Sequence, residues 1–260
     1  MPSMRDEVLQ TLRRVNESFY QTFATPFSAT RERLQPGVLR AVQTILPQAK
    51  IIDLGCGNGE LARYLFQHGH QGMYIGIDLS DELLEHARER APYPQARFIP
   101  ADLTDPDWTD GVHSAPHDDS TGFDRILAFA VLHHIPGSES RARLARQIRT
   151  LLVPGGSWYL SVWDFLASQR LHARILPWSE VGLNEADVEP GDYLIDWRRG
   201  GFGRRYVHHF TPENLSELAQ VSGFRVRDTY RSDGENGRLG LYQTWEPDLS
   251  TEGGPESPGG

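Results

Sequence analysis

A short apolar run, Ile51-Ile52-Asp53-Leu54, opens into glycines at every second position, Gly55, Gly57 and Gly59. The helical pattern Leu61-Ala62-Arg63-Tyr64-Leu65-Phe66 follows at once. A buried strand, a tight glycine turn and a helix N-terminus in that order mark the place where an open α/β sheet brings its backbone against a nucleotide-like ligand. The spacing then separates two uses of such a turn. A dinucleotide fingerprint, G-x-G-x-x-G, wants glycine at position 60, where this chain has Glu60. A carboxylate at a helix N-terminus is a poor host for a pyrophosphate.

The rest of the chain keeps the same rhythm. Apolar positions at helical spacing predict a helix over 4–23 that ends before Pro26, and a second over 38–46 closed by Pro47. Both precede the first strand (50–54), which makes them a candidate lid over the ligand pocket. A helix over 59–68, a strand over 73–77 ending at Asp78, and a helix capped by Ser80 and reaching Arg90 come next. The third strand, 97–100, ends at Ala101-Asp102-Leu103. Residues 104–122, rich in Asp, Pro and Ser, read as a loop insertion. The fourth strand covers 123–129, and the helix through Leu144, Ile148 and Leu151 is stopped by Pro154-Gly155-Gly156 before a fifth strand at 157–163. Strands alternating with helices imply a doubly wound, mainly parallel sheet. Beyond it the pattern predicts a helix near 165–175, a long segment to 205, a helix over 212–222, and two closing strands, 224–230 and 238–245, as a hairpin. Residues 247–260, acidic and rich in Pro, Gly and Ser, read as a disordered tail.

At 260 residues the chain suits one sizeable core better than two. The formal charge of −9 argues against non-specific coating of nucleic acid. The single cysteine, Cys56, leaves no disulfide framework and no cysteine-rich zinc site, and a reduced, cytoplasmic setting fits. No apolar run is long enough to span a bilayer, so no membrane association is expected.

The motif D-x-G-x-G-x-G from Asp53 to Gly59 resembles the first motif of the class I S-adenosylmethionine (SAM) methyltransferases, whose cofactor carries no phosphate. Asp78, at the end of the second strand, is placed to grip both ribose hydroxyls; its other reading is a helix-capping surface aspartate. Asp102 can receive an adenine amino group while Leu103 supplies a backbone donor, or it is an ordinary loop aspartate. Asp53 is placed to meet the ammonium of the methionine part. Cys56 reads as a small residue filling the turn rather than a nucleophile. Gly55, Cys56, Gly57, Leu79, Phe129 and Ala130 complete the expected cofactor contacts within the core. Of His133 and His134, which follow the fourth strand, one should face the transferred methyl, and the choice leans to His133; both are alternatively structural. A metal site from His133, His134, His208 and His209 lacks an accompanying Cys or acidic set, so no metal is expected. The segment Trp197–Tyr206 packs four arginines among three aromatics, suiting carboxylate, phosphate or base contacts, or else a solvated loop. Arg141, Arg143, Arg146 and Arg149 read as the solvated face of an amphipathic helix.

Several pieces together resemble a narrower family, the wobble-uridine tRNA methyltransferases that esterify the carboxylate of a carboxymethyl-uridine. Tyr20 with Phe27-Ser28-Ala29-Thr30-Arg31 matches their tyrosine and F-S-x-T-R, Gly76 to Ser80 their G-x-D-x-S, and Ala130 to His134 their A-V-[IL]-H-H. Gly191-Asp192 to Trp197 resembles their G-D-x-x-x-x-W. Arg205-Tyr206-Val207-His208-His209-Phe210 resembles R-Y-Y-H-x-F with Val207 in place of an aromatic. The resemblance implies a seven-stranded, Rossmann-like class I fold over 1–246, with N-terminal helices 4–47, a cofactor core 48–163, an acceptor-side elaboration 164–210 and terminal strands 223–246. It implies SAM as cofactor, with Tyr20 and Arg31 joining its contacts. For catalysis it implies Arg205, helped by Arg31 and His208, orienting the acceptor carboxylate while His133 shapes the transfer site. The acceptor would be tRNA, and eukaryotic members also work with a small zinc-binding partner protein. A small-metabolite methyltransferase, with 164–205 as a lid, and a non-catalytic SAM-binding regulatory protein are the alternatives.

Overall fold

The computed structural model describes residues 4–28, 33–114, 122–234 and 236–249. Ile51, Ile52 and Leu54 are all buried in β1 (Ile51–Leu54), as expected for a parallel strand covered on both faces. Successive side chains point to opposite sides, so Ile52 and Leu54 join one core layer and Ile51 another. The first layer is closed by α6 (Ser138–Leu151) and α8 (Pro212–Val221), through Leu144, Ile148, Leu215 and Ala219. The second is closed by α2 (Pro36–Val42) and α3 (Glu60–Gln67), through Val38, Val42, Leu61 and Leu65.

Among the described residues the main sheet has seven strands. With β2 (Tyr74–Asp78), β3 (Ala96–Pro100), β4 (Phe123–Phe129), β5 (Leu152–Trp163), β9 (Phe224–Ser232) and β10 (Gly240–Pro247), their order is β3-β2-β1-β4-β5-β10-β9. The first five are parallel; β10 runs antiparallel between β5 and β9, so the closing hairpin finishes the sheet. The order reverses between β1 and β4, which opens a crevice at their carboxyl ends. Helix α4 (Asp81–Arg90) follows β2 and is capped as expected, Leu83 N–H donating to Ser80 Oγ.

Five expectations change. The first helix, α1 (Asp6–Ser28), continues through Pro26 because it breaks at Phe23 (φ −118°, ψ 19°); Pro26 then falls in the first turn of the new segment, where its missing N–H costs little. Helix α2 starts at Pro36 and stops at Val42, short of the predicted 46. Pro154-Gly155-Gly156 does not precede β5 but lies within it, at an irregularity in its pairing with β4. The 104–122 insertion is partly structural: Trp108 and Val112 are buried in the main core around α5 (Asp110–His113), while 115–121 lie outside the described residues. The expected helix near 165–175 is a 3-10 turn, Phe165–Ala167, and one turn of helix, α7 (Gln169–His172).

What replaces the predicted long loop is a second sheet of β6 (Ile175–Leu176), β7 (Asp192–Trp197) and β8 (Gly203–His208). Helix α1 packs on it: Met4, Val8 and Leu12 meet Trp178, Leu194 and Tyr206, and Phe19 and Phe23 meet Trp197. The N-terminal helix therefore bridges the small sheet and the crevice of the large one. No helix among the described residues is long and apolar enough to cross a membrane.

Candidate functional site

The turn after β1 needs glycine for two distinct reasons. Gly55, Gly57 and Gly59 all hold left-handed backbone, at φ +67°, +56° and +73°. A side chain at Gly55 would also strike Val131, and one at Gly59 would strike Ala87, whereas Gly57 has open space before it. That open space belongs to a cavity of about 240 Å³ at the crevice between β1 and β4.

Asp53 (3% exposed) projects from β1 on the face of the sheet it shares with Tyr74. Tyr74 Oη donates a hydrogen bond to Asp53 Oδ2. Burial pushes the Asp53 carboxyl from 3.8 to about 7, against the hydrogen bond and with help from the nearby Asp78 charge. Asp78 is likewise raised, chiefly by burial; Gly57 N–H donates to its Oδ2 (2.9 Å) and Ser80 N–H to its Oδ1 (3.0 Å). Two desolvated acids at adjoining strand ends form a site made for cationic or hydroxylated ligand groups. Asp102 Oδ1 accepts from Thr104 N–H at 2.8 Å. Cys56 is buried with its thiol pushed well up, mainly by burial, and its sulfur fills the space over Gly76, as a packing residue does. Ala130, directly after β4, takes φ +59°, an uncommon backbone for alanine. Its N–H is held by Ser161 O (3.0 Å) and Ser161 Oγ (3.1 Å).

Tyr20, Asp53, Gly55, Cys56, Gly57, Asp78, Leu79, Asp102, Leu103, Phe129 and Ala130 all line this cavity. Arg31 lies outside the described residues. The other expected residues sit elsewhere. His133 is fully buried and stacks on Trp163 (centroids 5.3 Å apart); it is His134, on the same 3-10 turn, Leu132–His134, that lines the cavity. The structure thus brings His134, and not the expected His133, to the cavity. Arg205 (3% exposed) is not part of the wall: its guanidinium lies over the rings of Phe19, Trp163 and Trp197 at 4.8–5.1 Å. His208 also lies behind the wall, where Nδ1 bonds Asp192 Oδ1 at 2.7 Å. Tyr206 Oη donates to the same oxygen (2.7 Å), and Arg141 donates to Tyr206 Oη (3.2 Å) and Glu189 Oε2 (2.7 Å). Arg141 is thus buried structure rather than solvated face. Glu189, Asp192 and His208 have metal-like spacing, yet Arg141, Tyr206 and Ser138 already occupy this cluster. Burial pulls the His208 pKa down, against the Asp192 bond.

Asn16 joins the two sheets at the cavity wall. Its Nδ2 donates to His134 O (3.0 Å), its Oδ1 accepts from Tyr206 N–H (2.9 Å), and His134 Nδ1 bonds Tyr206 O (3.1 Å). A carbonyl only accepts, so Nδ1 carries the proton and Nε2 is the basic nitrogen of the neutral ring. At Tyr206 the outer edge of β8 is in this way satisfied by side chains. Asn16, Arg13 and Tyr74 carry no motif that sequence reading would single out. Tyr74 becomes findable once the β1–β2 register is known, because Asp53 pairs with Gly76 and Tyr74 stands two residues earlier on the same face.

Residues 27–229 match the sequence profile of the family described as a methyltransferase domain. The chain is 30% identical over 212 residues to a protein of Encephalitozoon cuniculi whose name gives a methyltransferase without an acceptor, covering 81% of this chain and 87% of that one. It is also 30% identical over 226 residues to the tRNA (carboxymethyluridine(34)-5-O)-methyltransferase of Schizosaccharomyces pombe, covering 78% of this chain and 86% of that one. It spans only 39% of the protein called probable tRNA methyltransferase 9B in Bos taurus, at 26% identity over 73% of its own length. Among solved structures, the 1,6-didemethyltoxoflavin-N1-methyltransferase of Burkholderia thailandensis superposes with a TM-score of 0.60 at 19% identity, over 93% of this chain and 89% of that one. At that identity the likeness is one of fold.

Proposed function

Since the chain belongs to the family of methyltransferase domains, we propose that it transfers a methyl group from SAM to the carboxylate of a carboxymethyl-modified wobble uridine in tRNA. The observation that carries the acceptor half of this reading is the β7–β8 hairpin. Its tip exposes Arg198, Arg199 and Phe202, while Tyr206, further along β8, is tied to His134 and Asn16 in the cavity wall. Exposed guanidinium groups beside an exposed ring suit a nucleic-acid strand. The identity to the fission-yeast enzyme supports the same acceptor.

The residues fit the cofactor. The two desolvated acids suit its cationic and hydroxylated parts: Asp53 the ammonium, Asp78 the ribose. Asp102 and Leu103 serve the adenine edge, and Gly57 leaves the room that a ligand against the backbone requires. Bound SAM supplies a methyl group on a positively charged sulfur, open to in-line displacement. A carboxylate acceptor is ionised at neutral pH and needs no strong base, so the protein's task is to orient it and exclude water. His134 lines the cavity with its Nδ1 bonded to Tyr206 O, and Tyr20 packs edge-on against its ring at 5.7 Å, which fixes the ring beside the acceptor path. Arg205 and His208 act from behind, holding Phe19, Trp163 and Asp192 and through them the strand that carries Tyr206.

Methyl-labelled SAM, offered with total tRNA and separately with a small-molecule extract, tests the reading. Label in tRNA, followed by mass spectrometry showing a carboxymethyl-uridine converted to its methyl ester, is the expected result. Label only in the extract rejects it in favour of a small-metabolite acceptor, the second reading, which the net charge of −9 favours.

A further inference from the structure

Arg13 lies on the cavity side of α1, one turn before Asn16 and two before Tyr20, and all three line the wall. Axial rises of about 4.5 and 10.5 Å separate it from them. Among the described residues it makes no hydrogen bond or ion pair, and its Nε is closed off from solvent with no acceptor. Glu17, the carboxylate one turn on, instead accepts from Gln21 Nε2 at 3.2 Å. A guanidinium N–H removed from water without an acceptor is costly unless a ligand supplies one. The cofactor end of the cavity is walled by Asp53, Asp78 and Asp102, which repel an anion. An anionic acceptor entering beside His134 therefore needs a cation on the α1 side.

We infer that Arg13 is the anion-reading residue of the acceptor: its planar fork takes the paired oxygens of an oxyanion that the acceptor carries, a carboxylate or a phosphate. This inference rests on the acceptor reading above.

Arg13→Gln tests it. The KM for a carboxymethyl-uridine acceptor should rise about tenfold to a hundredfold, the loss expected for one charge-assisted contact. The dissociation constant for S-adenosylhomocysteine and the melting temperature should stay at wild-type values, and Arg13→Lys should recover part of the KM. A loss shared by the free nucleoside and an anticodon stem-loop assigns the carboxylate; a loss confined to the stem-loop assigns a phosphate. Equal weakening for S-adenosylhomocysteine, or an unchanged KM for every acceptor turned over, overturns the inference. Should no tRNA be methylated, the protein loaded with S-adenosylhomocysteine is titrated with acetate and with inorganic phosphate. Saturable binding lost in Arg13→Gln then keeps Arg13 as the anion reader while the tRNA reading falls, and no saturable binding by the wild type overturns both.

Discussion

Replacing Asp53 with Asn should stabilise the ligand-free protein while weakening its hold on SAM. The Asp53 carboxyl, buried and raised from 3.8 to about 7, binds a proton in the folded state over a pH range where the unfolded chain has released it. A group with a raised folded pKa contributes most at or below pH 3.8 and loses that contribution as pH rises through 7. At about 1.36 kcal/mol per pH unit, the interval sets a ceiling of roughly 4 kcal/mol on what ionising Asp53 costs above pH 7. Local relaxation and water entry reduce this, so about 2 kcal/mol is expected. Asparagine keeps an oxygen for Tyr74 Oη and never ionises. At pH 8 the variant should therefore melt roughly 5 °C higher without ligand, and its melting temperature should lose the downward slope between pH 5.5 and 7.5. SAM should bind the variant about tenfold to a hundredfold more weakly, having lost a charged partner. Wild-type affinity should fall below pH 7 as Asp53 protonates, and variant affinity should not. Thermal melts across pH 5.5–8.5 with and without SAM, joined to calorimetric affinities, measure all of this. A variant less stable than wild type at pH 8 without ligand, or wild-type affinity flat from pH 6 to 8, would refute the reasoning.

The two histidines should separate by phenotype: His134→Ala should lower kcat at least tenfold with little change in melting temperature, and His133→Ala, which empties a site packed on Trp163, should lower the melting temperature instead. Gly57→Ala should cost about 1–2 kcal/mol from its φ of +56° alone, and Gly59→Ala clearly more, because its new Cβ would meet Ala87 at 2.8 Å; denaturant midpoints check the ranking. His208 has a folded pKa pulled below 6.5, so its contribution to stability is fully present above pH 6.5 and is lost as the pH falls below that and through its lower folded value. His208→Gln should flatten that acid limb in melts from pH 7.5 to 5.

Much of this was readable because local backbone chemistry dictates it. The three glycines, Asp78 at a strand end and Ser80 as a cap are short-range signals, and the structure puts these residues in the expected turn, strand end and helix start. The small sheet was hidden because β6 has two residues and β7 and β8 gain their stability from α1, far away in the chain. Sequence spacing cannot choose between adjacent histidines, since each step along a 3-10 turn rotates the side chain by about 120°. The family resemblance makes Arg205 an acceptor contact; in the fold its guanidinium is enclosed by Trp197 from its own segment and by Phe19 and Trp163 from distant parts of the chain, which local sequence does not reveal. Pro26 reads as a stop signal in the sequence, and the break at Phe23, a residue packed with Trp197, is what accommodates it.

The Asn16 junction also bears on how the chain is made. Its partner Tyr206 lies 190 residues further on. At about 5–20 residues per second, α1 leaves the ribosome roughly 10–40 s before the strand that completes its surface exists. During that interval Leu12, Phe19 and Phe23 have no small sheet to cover them. The nascent helix should therefore be a target for chaperones, and a truncation ending before β8 should aggregate even though most of the strands of the large sheet are already present.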